Sequence, residues 1–235
     1  MKKLTTLIFI ITSFNAFTQE ITGDELLKKA IQFHDPNNNW STFNGELFVT
    51  METPKSVPRE SNININIPKE YFSVTAKRDT IITEYIVDKN KISFSLNGDK
   101  NPSEELKKKY SLTKERANLY KNYYTYLYGL PMKLKDEGTI IDQKVERKTF
   151  KGKEYLVLKV NYSKEVGKDT WYFYFNPKTY AMEVYQFFKE TKDRGEYILL
   201  SGLETINDIK MPKVRAWYYN KNNGYLGTDI LSKIK

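Results

Sequence analysis

The chain has no cysteine and a single histidine, His34. The first absence excludes disulfides, thiolate metal sites and the lipid-bearing cysteine of a lipoprotein. The second excludes multi-histidine metal centres and the zinc-protease helix. The sequence also lacks a Gly-x-Ser-x-Gly elbow, a phosphate loop and a dinucleotide fingerprint. No catalytic machinery of a familiar kind remains, and neither a cofactor nor a metal is expected. His34 could serve as a base beside Asp35. The Asp35-Pro36 turn needs local polar contacts, however, and the expected role of the ring is to pack at a helix end.

What is present begins with an address. Lys2 and Lys3 precede a short apolar run, Leu4 to Ile11, and Ala16 and Thr18 supply small residues at the −3 and −1 positions. That order reads as a signal peptide over residues 1–18, cut before Gln19. The run is far shorter than the ~20 residues of a membrane span. The expected location is therefore periplasmic or secreted. Residues 19–235 are enough for one domain with a sizeable core. Loss of Lys2 and Lys3 takes the net charge from +9 to +7. The lysines are spread singly, as on a solvated surface. Such a surface allows transient contact with an anionic membrane, and no nucleic-acid partner is expected.

One stretch dominates the middle of the chain. Residues 113–134 hold Tyr120, Tyr123, Tyr124, Tyr126 and Tyr128 without an internal Gly or Pro until Gly129 and Pro131. A helix capped by Thr113 is expected to end there, with Gly129 as its left-handed cap. A shorter helix starts at Ser103. Near the start of the chain, Thr22 and Glu25 form a capping box flanked by Ile21 and Leu26. Leu26, Leu27, Ala30, Ile31 and His34 then repeat at helical spacing.

The rest reads as strands. Leu47, Val49 and Met51 alternate with polar residues, as do Ile63, Ile65 and Ile67 with Asn62, Asn64 and Asn66. One face is therefore buried and one is wet. Residues 81–88 are apolar on both faces and suggest a central strand. In the second block Leu156, Leu158, Val160 and Tyr162 share a face. Trp171, Phe173 and Phe175 share another, with Tyr172 and Tyr174 opposite them. Glu196 to Leu200, Met211 to Tyr219 and Tyr225 to Leu231 are the last expected strands, and tight turns such as Asn222-Asn223-Gly224 link the strands into an antiparallel meander. About a dozen strands cannot lie flat. The expected fold is α+β: a strongly curled antiparallel sheet, or half-barrel, with helices covering its concave face.

Two likenesses support this. The run Trp171-Tyr172-Phe173-Tyr174-Phe175-Asn176-Pro177-Lys178-Thr179-Tyr180, with Met182-Glu183-Val184-Tyr185 after it, resembles the strand-turn-strand of the LolA and LolB lipoprotein carriers. The run from Tyr123 to Leu134 and the segment Leu226 to Leu231 are similar to a family of uncharacterised exported proteins from Bacteroidetes. The carrier resemblance implies a half-barrel under a helical lid and an apolar or amphiphilic, lipid-like ligand. It transfers no individual residue.

Tyrosine suits a wall that is both apolar and wet, because each hydroxyl needs a partner or water. Tyr120, Tyr123, Tyr124, Leu127 and Tyr128 of the helix, with Trp171, Phe173 and Phe175 of the sheet, are the candidate ligand-binding residues. At 100° per residue Tyr120, Tyr124, Leu127 and Tyr128 share one face. Tyr120, Tyr124 and Leu127 are expected opposite the Trp171 row. The reading is thus a non-enzymatic binding protein. A carboxylate-dependent hydrolase using two of Asp169, Glu183, Glu196 and Asp229 is one alternative, and a half-barrel filled by its own helix is the other.

Overall fold

The structure is a computed structural model that describes residues 20–191 and 193–232. The expected signal peptide and its cleavage point lie outside the described residues. The chain opens with α1 (Gly23–His34), followed by β1 (Asn44–Thr53), β2 (Ser56–Asn66), β3 (Tyr71–Arg78), β4 (Ile81–Asp88) and β5 (Lys91–Leu96). Two helices come next, α2 (Glu104–Tyr110) and α3 (Lys114–Gly129). The second block is β6 (Thr139–Ile141), β7 (Glu146–Phe150), β8 (Lys153–Tyr162), β9 (Thr170–Phe175), β10 (Met182–Phe188), β11 (Gly195–Ile206), β12 (Ile209–Tyr219) and β13 (Tyr225–Ser232).

The helix starts follow from their caps. The Thr22 hydroxyl accepts from the Glu25 N–H at 3.3 Å and the Glu25 carboxylate accepts from the Thr22 N–H at 2.9 Å, completing the capping box. Thr113 caps α3 through the Arg116 N–H at 3.1 Å. Leu26, Leu27, Ala30 and His34 form the buried stripe of α1.

All the strands join one antiparallel sheet in the order β5-β4-β3-β2-β1-β13-β12-β11-β10-β9-β8-β6, with β7 also on β8. The sheet is two meanders, and the pairing of the first strand with the last joins them. That seam aligns Val49 with Leu231 and Met51 with Asp229. Gly227 makes the close approach possible: a Cβ there would meet the Glu52 carbonyl oxygen at 2.6 Å. The sheet is not closed into a barrel, and α3 covers its inner face. One core contains inward residues of both meanders together with Leu27 of α1 and Tyr124, Leu127 and Tyr128 of α3.

Three expectations change. Strand β4 lies next to the edge strand β5, so it is not central. It buries Tyr85 and Val87 inward while Ile82 stays exposed, because no layer covers the convex side there. Strand β11 runs to Ile206, well beyond the expected residues 196–200. Gly129 remains inside α3 and does not take a left-handed cap. Its missing side chain serves packing instead, since a Cβ would meet the Trp40 ring at 2.4 Å.

Candidate functional site

The tyrosines of α3 point in several directions, and each direction meets a different part of the curled sheet. Tyr120 packs on Tyr85 of β4 at 5.2 Å between ring centroids, and Tyr124 stacks on Phe72 of β3 at 6.4 Å. On the other flank Tyr123 stacks on Trp217 of β12 at 6.2 Å, and Tyr126 meets Trp171 of β9 edge-on at 5.8 Å. Tyr126 also shares a short hydroxyl–hydroxyl bond with Tyr162. Tyr124, Leu127 and Tyr128 are buried against the sheet, while Tyr120 is half-buried.

The expected arrangement of Tyr120, Tyr124 and Leu127 opposite Trp171, Phe173 and Phe175 is therefore corrected for the two tyrosines. They face the first meander, and Tyr126 meets Trp171. A helical projection gives the shared face of a helix. It does not say which strands curl up on either side. Phe173 and Phe175 are fully buried on the inner face of β9, and Trp171 is half-buried at its end.

Under the helix lies a polar centre that the hydrophobic reading did not reach. Arg59 of β2 donates to the Tyr124 hydroxyl at 3.0 Å and to the Tyr120 hydroxyl at 3.4 Å. Arg215 of β12 is 1 % exposed. It donates to the carbonyls of Pro212 at 2.8 Å and Leu127 at 3.3 Å, and its guanidinium sits 4.0 Å over the Tyr128 ring. Between them Asp229 of β13 accepts from the Tyr123 hydroxyl at 3.1 Å. The register makes the row explicit: Arg59 pairs with Met51, Met51 with Asp229 and Asp229 with Arg215 across four neighbouring strands.

Burial governs the electrostatics. It pushes the Asp229 carboxyl above the ordinary range, and the pull of Arg215, the Tyr123 hydroxyl and Arg59 does not cancel it. Burial likewise holds the Tyr123, Tyr124 and Tyr128 phenols above theirs. The five ion pairs among the described residues involve partly or fully exposed side chains, and none includes Arg59, Arg215 or Asp229. Among the described residues, five buried polar atoms make no hydrogen bond of ordinary geometry: Arg59 Nε, Ser61 Oγ, Tyr128 Oη, Tyr185 Oη and Arg215 Nε, although Ser61 lies within reach of Tyr124 and Tyr185 within reach of Arg215. All belong to this interior, and such atoms are expensive in a sealed core.

Of the four acids considered for hydrolysis, Glu183 pairs with Lys153 and accepts from Asn176 on the convex side. Asp169 precedes β9 and sits apart from the centre. Glu196 and Asp229 do line one cleft. Burial raises both, whereas an acid–base pair needs its two members pushed apart. His34 is a structural group. Its Nδ1 lies 2.6 Å from the Lys210 carbonyl oxygen, and its Nε2 accepts from the Met182 N–H at 2.9 Å. That geometry fixes a neutral tautomer, and burial lowers the ring to about 4. No group of His, Asp and Glu able to hold a metal occurs among the described residues.

The missed arginine Arg59 had a signal. Carrying the Ile65, Ile63 alternation back along β2 places Ser61 and Arg59 on the same buried face.

Known structures share this architecture. A LolA superfamily protein from Nitrosomonas europaea aligns with a TM-score of 0.56 at 9% identity, covering 91% of this chain and 93% of that one. A domain described as outer membrane lipoprotein-sorting from Vibrio parahaemolyticus gives 0.53 at 10% identity, with 91% of each chain covered. A DUF1329 family protein from Desulfovibrio piger also gives 0.53 at 10% identity, covering 91% of this chain and 92% of that one. At these identities the likeness is one of fold. No curated protein matches the chain. A family of unknown function, DUF6503, matches residues 2–233, and the chain belongs to that family.

Proposed function

We propose that the protein is a periplasmic or secreted, non-enzymatic binding protein for an amphiphilic, lipid-like ligand, with α3 as the part that moves. The observation that carries this reading is the set of poorly satisfied polar atoms under α3, set between two apolar walls. Leu47, Val49, Ile63 and Ile65 form one wall; Phe173, Phe175 and Tyr185 form the other. A molecule with an apolar tail and a polar head supplies what both regions lack. Burying the tail is worth ~25 cal/mol per Å². The half-barrel relatives named for lipoprotein sorting support the same direction.

In the closed arrangement the helix is seated in the concavity, so entry requires it to lift. Tyr120, Tyr123, Tyr124, Leu127 and Tyr128 would then line one side of the site, with Trp171, Phe173 and Phe175 on the other. The spread lysines suit transient contact with an anionic membrane surface.

The test pairs stability with binding. Wild-type protein is titrated with a fluorescent fatty acid, then Tyr124→Ala is measured for both probe binding and thermal stability. The proposal expects wild-type binding, weakened in the variant, with a loss below the ~3–5 kcal/mol typical of an aromatic in a filled core. A wild type that binds no probe, with a variant that collapses, would make α3 a permanent plug.

A further inference from the structure

A small cleft opens at the edge of α3, above the seam between β1, β13 and β12. It holds about 170 Å³, room for roughly six waters at ~30 Å³ each. Its walls include the stacked rings of Tyr123 and Trp217, the thioether of Met51, and the carboxyls of Glu196 and Asp229. No lysine or arginine lines it.

The acids are not ordinary surface acids. Asp229 is 3 % exposed on an inward-facing position. Glu196, at the start of β11, is half-buried and forms no ion pair; Lys189 is the cation that acts on it through space. Arg215 and Arg59 act on Asp229 from the core side. Behind the cleft the Tyr185 ring meets Trp217 edge-on at 6.1 Å, and its hydroxyl feels Arg215 before Asp229 and Glu196. The lining thus offers two carboxyls and two aromatic rings, with Arg215, Arg59 and Lys189 standing outside it. A ring face attracts a cation by ~0.5–2 kcal/mol, more as water is excluded.

We infer that this cleft is a binding site for an organic ammonium group, held by Glu196 and Asp229 and by the Tyr123 and Trp217 rings. The ammonium can be a free small molecule or the head of a lipid. The site does not depend on the amphiphile reading, since the cleft stands beside α3 and is open with the helix seated.

The experiment follows the Trp217 indole N–H in ¹⁵N spectra of the purified protein, assigned with Trp217→Phe. The titrants are choline and its uncharged analogue 3,3-dimethyl-1-butanol. The inference expects choline to shift the Trp217 resonance in a saturable way, leaving the Trp40 resonance in place, and the neutral analogue to shift it at least tenfold more weakly. Glu196→Gln should weaken choline at least fivefold. Equal responses to the two titrants, no response to choline, or unchanged affinity in Glu196→Gln would each overturn it. Dodecyltrimethylammonium separates the sources: tenfold tighter binding than choline identifies a lipid head, and equal binding identifies a free amine. Choline binding in a protein that takes no fatty-acid probe would overturn the amphiphile reading and leave this site standing.

Discussion

The two meanders face the helix with unlike surfaces. In the first, β1 to β5, the inner face is mainly aliphatic, with Leu47, Val49, Ile63, Ile65 and Val74 buried beside Phe72. Its outer face is wet, with Asn62 and Thr75 exposed. In the second, β8 to β12, the inner face carries Phe173, Phe175, Tyr185 and Phe187. Its outer face has a second hydrophobic cluster, built from Tyr155, Val157, Tyr174 and Val184 with Phe150 of β7 packed on it. One half is a sheet with a single buried side and the other is buried on both. The helix bridges them. Tyr120 and Tyr124 dock on the aliphatic half, Tyr123 and Tyr126 on the aromatic half. The polar row Arg59, Asp229, Arg215 crosses the seam between the halves. The two ends of the described chain are thereby held together under one helix.

The largest effect should come from charging the aliphatic wall. Ile65→Asp places an uncompensated carboxylate at a position 1 % exposed, and a loss of about 4 kcal/mol or more is expected in denaturant unfolding. Asn62→Asp, next door on the wet face, should stay within ~0.5 kcal/mol. Similar losses at both would erase the one-sided description of the first half.

The two-sided description of the second half is tested on its convex face. Tyr174→Ala removes a ring that packs on Phe150 and Tyr155 and a hydroxyl that donates to Gln186 at 2.7 Å. About 3 kcal/mol should be lost. Thr75→Ala, on the convex face of the first half, should cost under ~0.5 kcal/mol. A convex-face loss as small at Tyr174 would make the halves equivalent.

His34 ties α1 to β10 and β12, so its titration belongs to the second half. Its ring is lowered in the fold to about 4 from 6.5. The unfolded chain therefore binds the proton first as pH falls. Stability from this group is complete above pH 6.5 and declines below it, by about 2 kcal/mol at pH 5 and about 3 kcal/mol below pH 4. Glu196 and Asp229, both raised, act in the opposite sense over the acid range. The ring's own NMR titration isolates the effect, since an untagged chain has one histidine. A midpoint near 6.5 would mean the ring is not held between Lys210 and Met182.

Much of this fold could be read locally. The Thr22–Glu25 box, the Thr113 cap and the asparagine-isoleucine alternation depend on neighbours within a few residues. The half-barrel followed from strand number and tight turns. The pairing of β1 with β13 did not, because it joins segments almost 180 residues apart with no local mark beyond Gly227. The site was half legible. Tyrosines on α3 declared themselves by density, and Asp229 by its apolar strand. Arg59 and Arg215 did not stand out, since arginine is mostly exposed. Their burial arises only when the curled sheet brings tyrosine hydroxyls and the Leu127 carbonyl over them.

In the proposed carrier, α3 is a removable cover over a sheet that stays folded when the helix lifts. Native-state hydrogen exchange tests it most directly, comparing amides of α3 with those of β1 and β13 in the free protein. The account predicts that the α3 amides exchange at least about 100-fold faster, through a local opening well below the free energy of global unfolding. Exchange of α3 at the same rate as the β1–β13 seam would contradict it, because the helix would then come away only when the whole sheet unfolds.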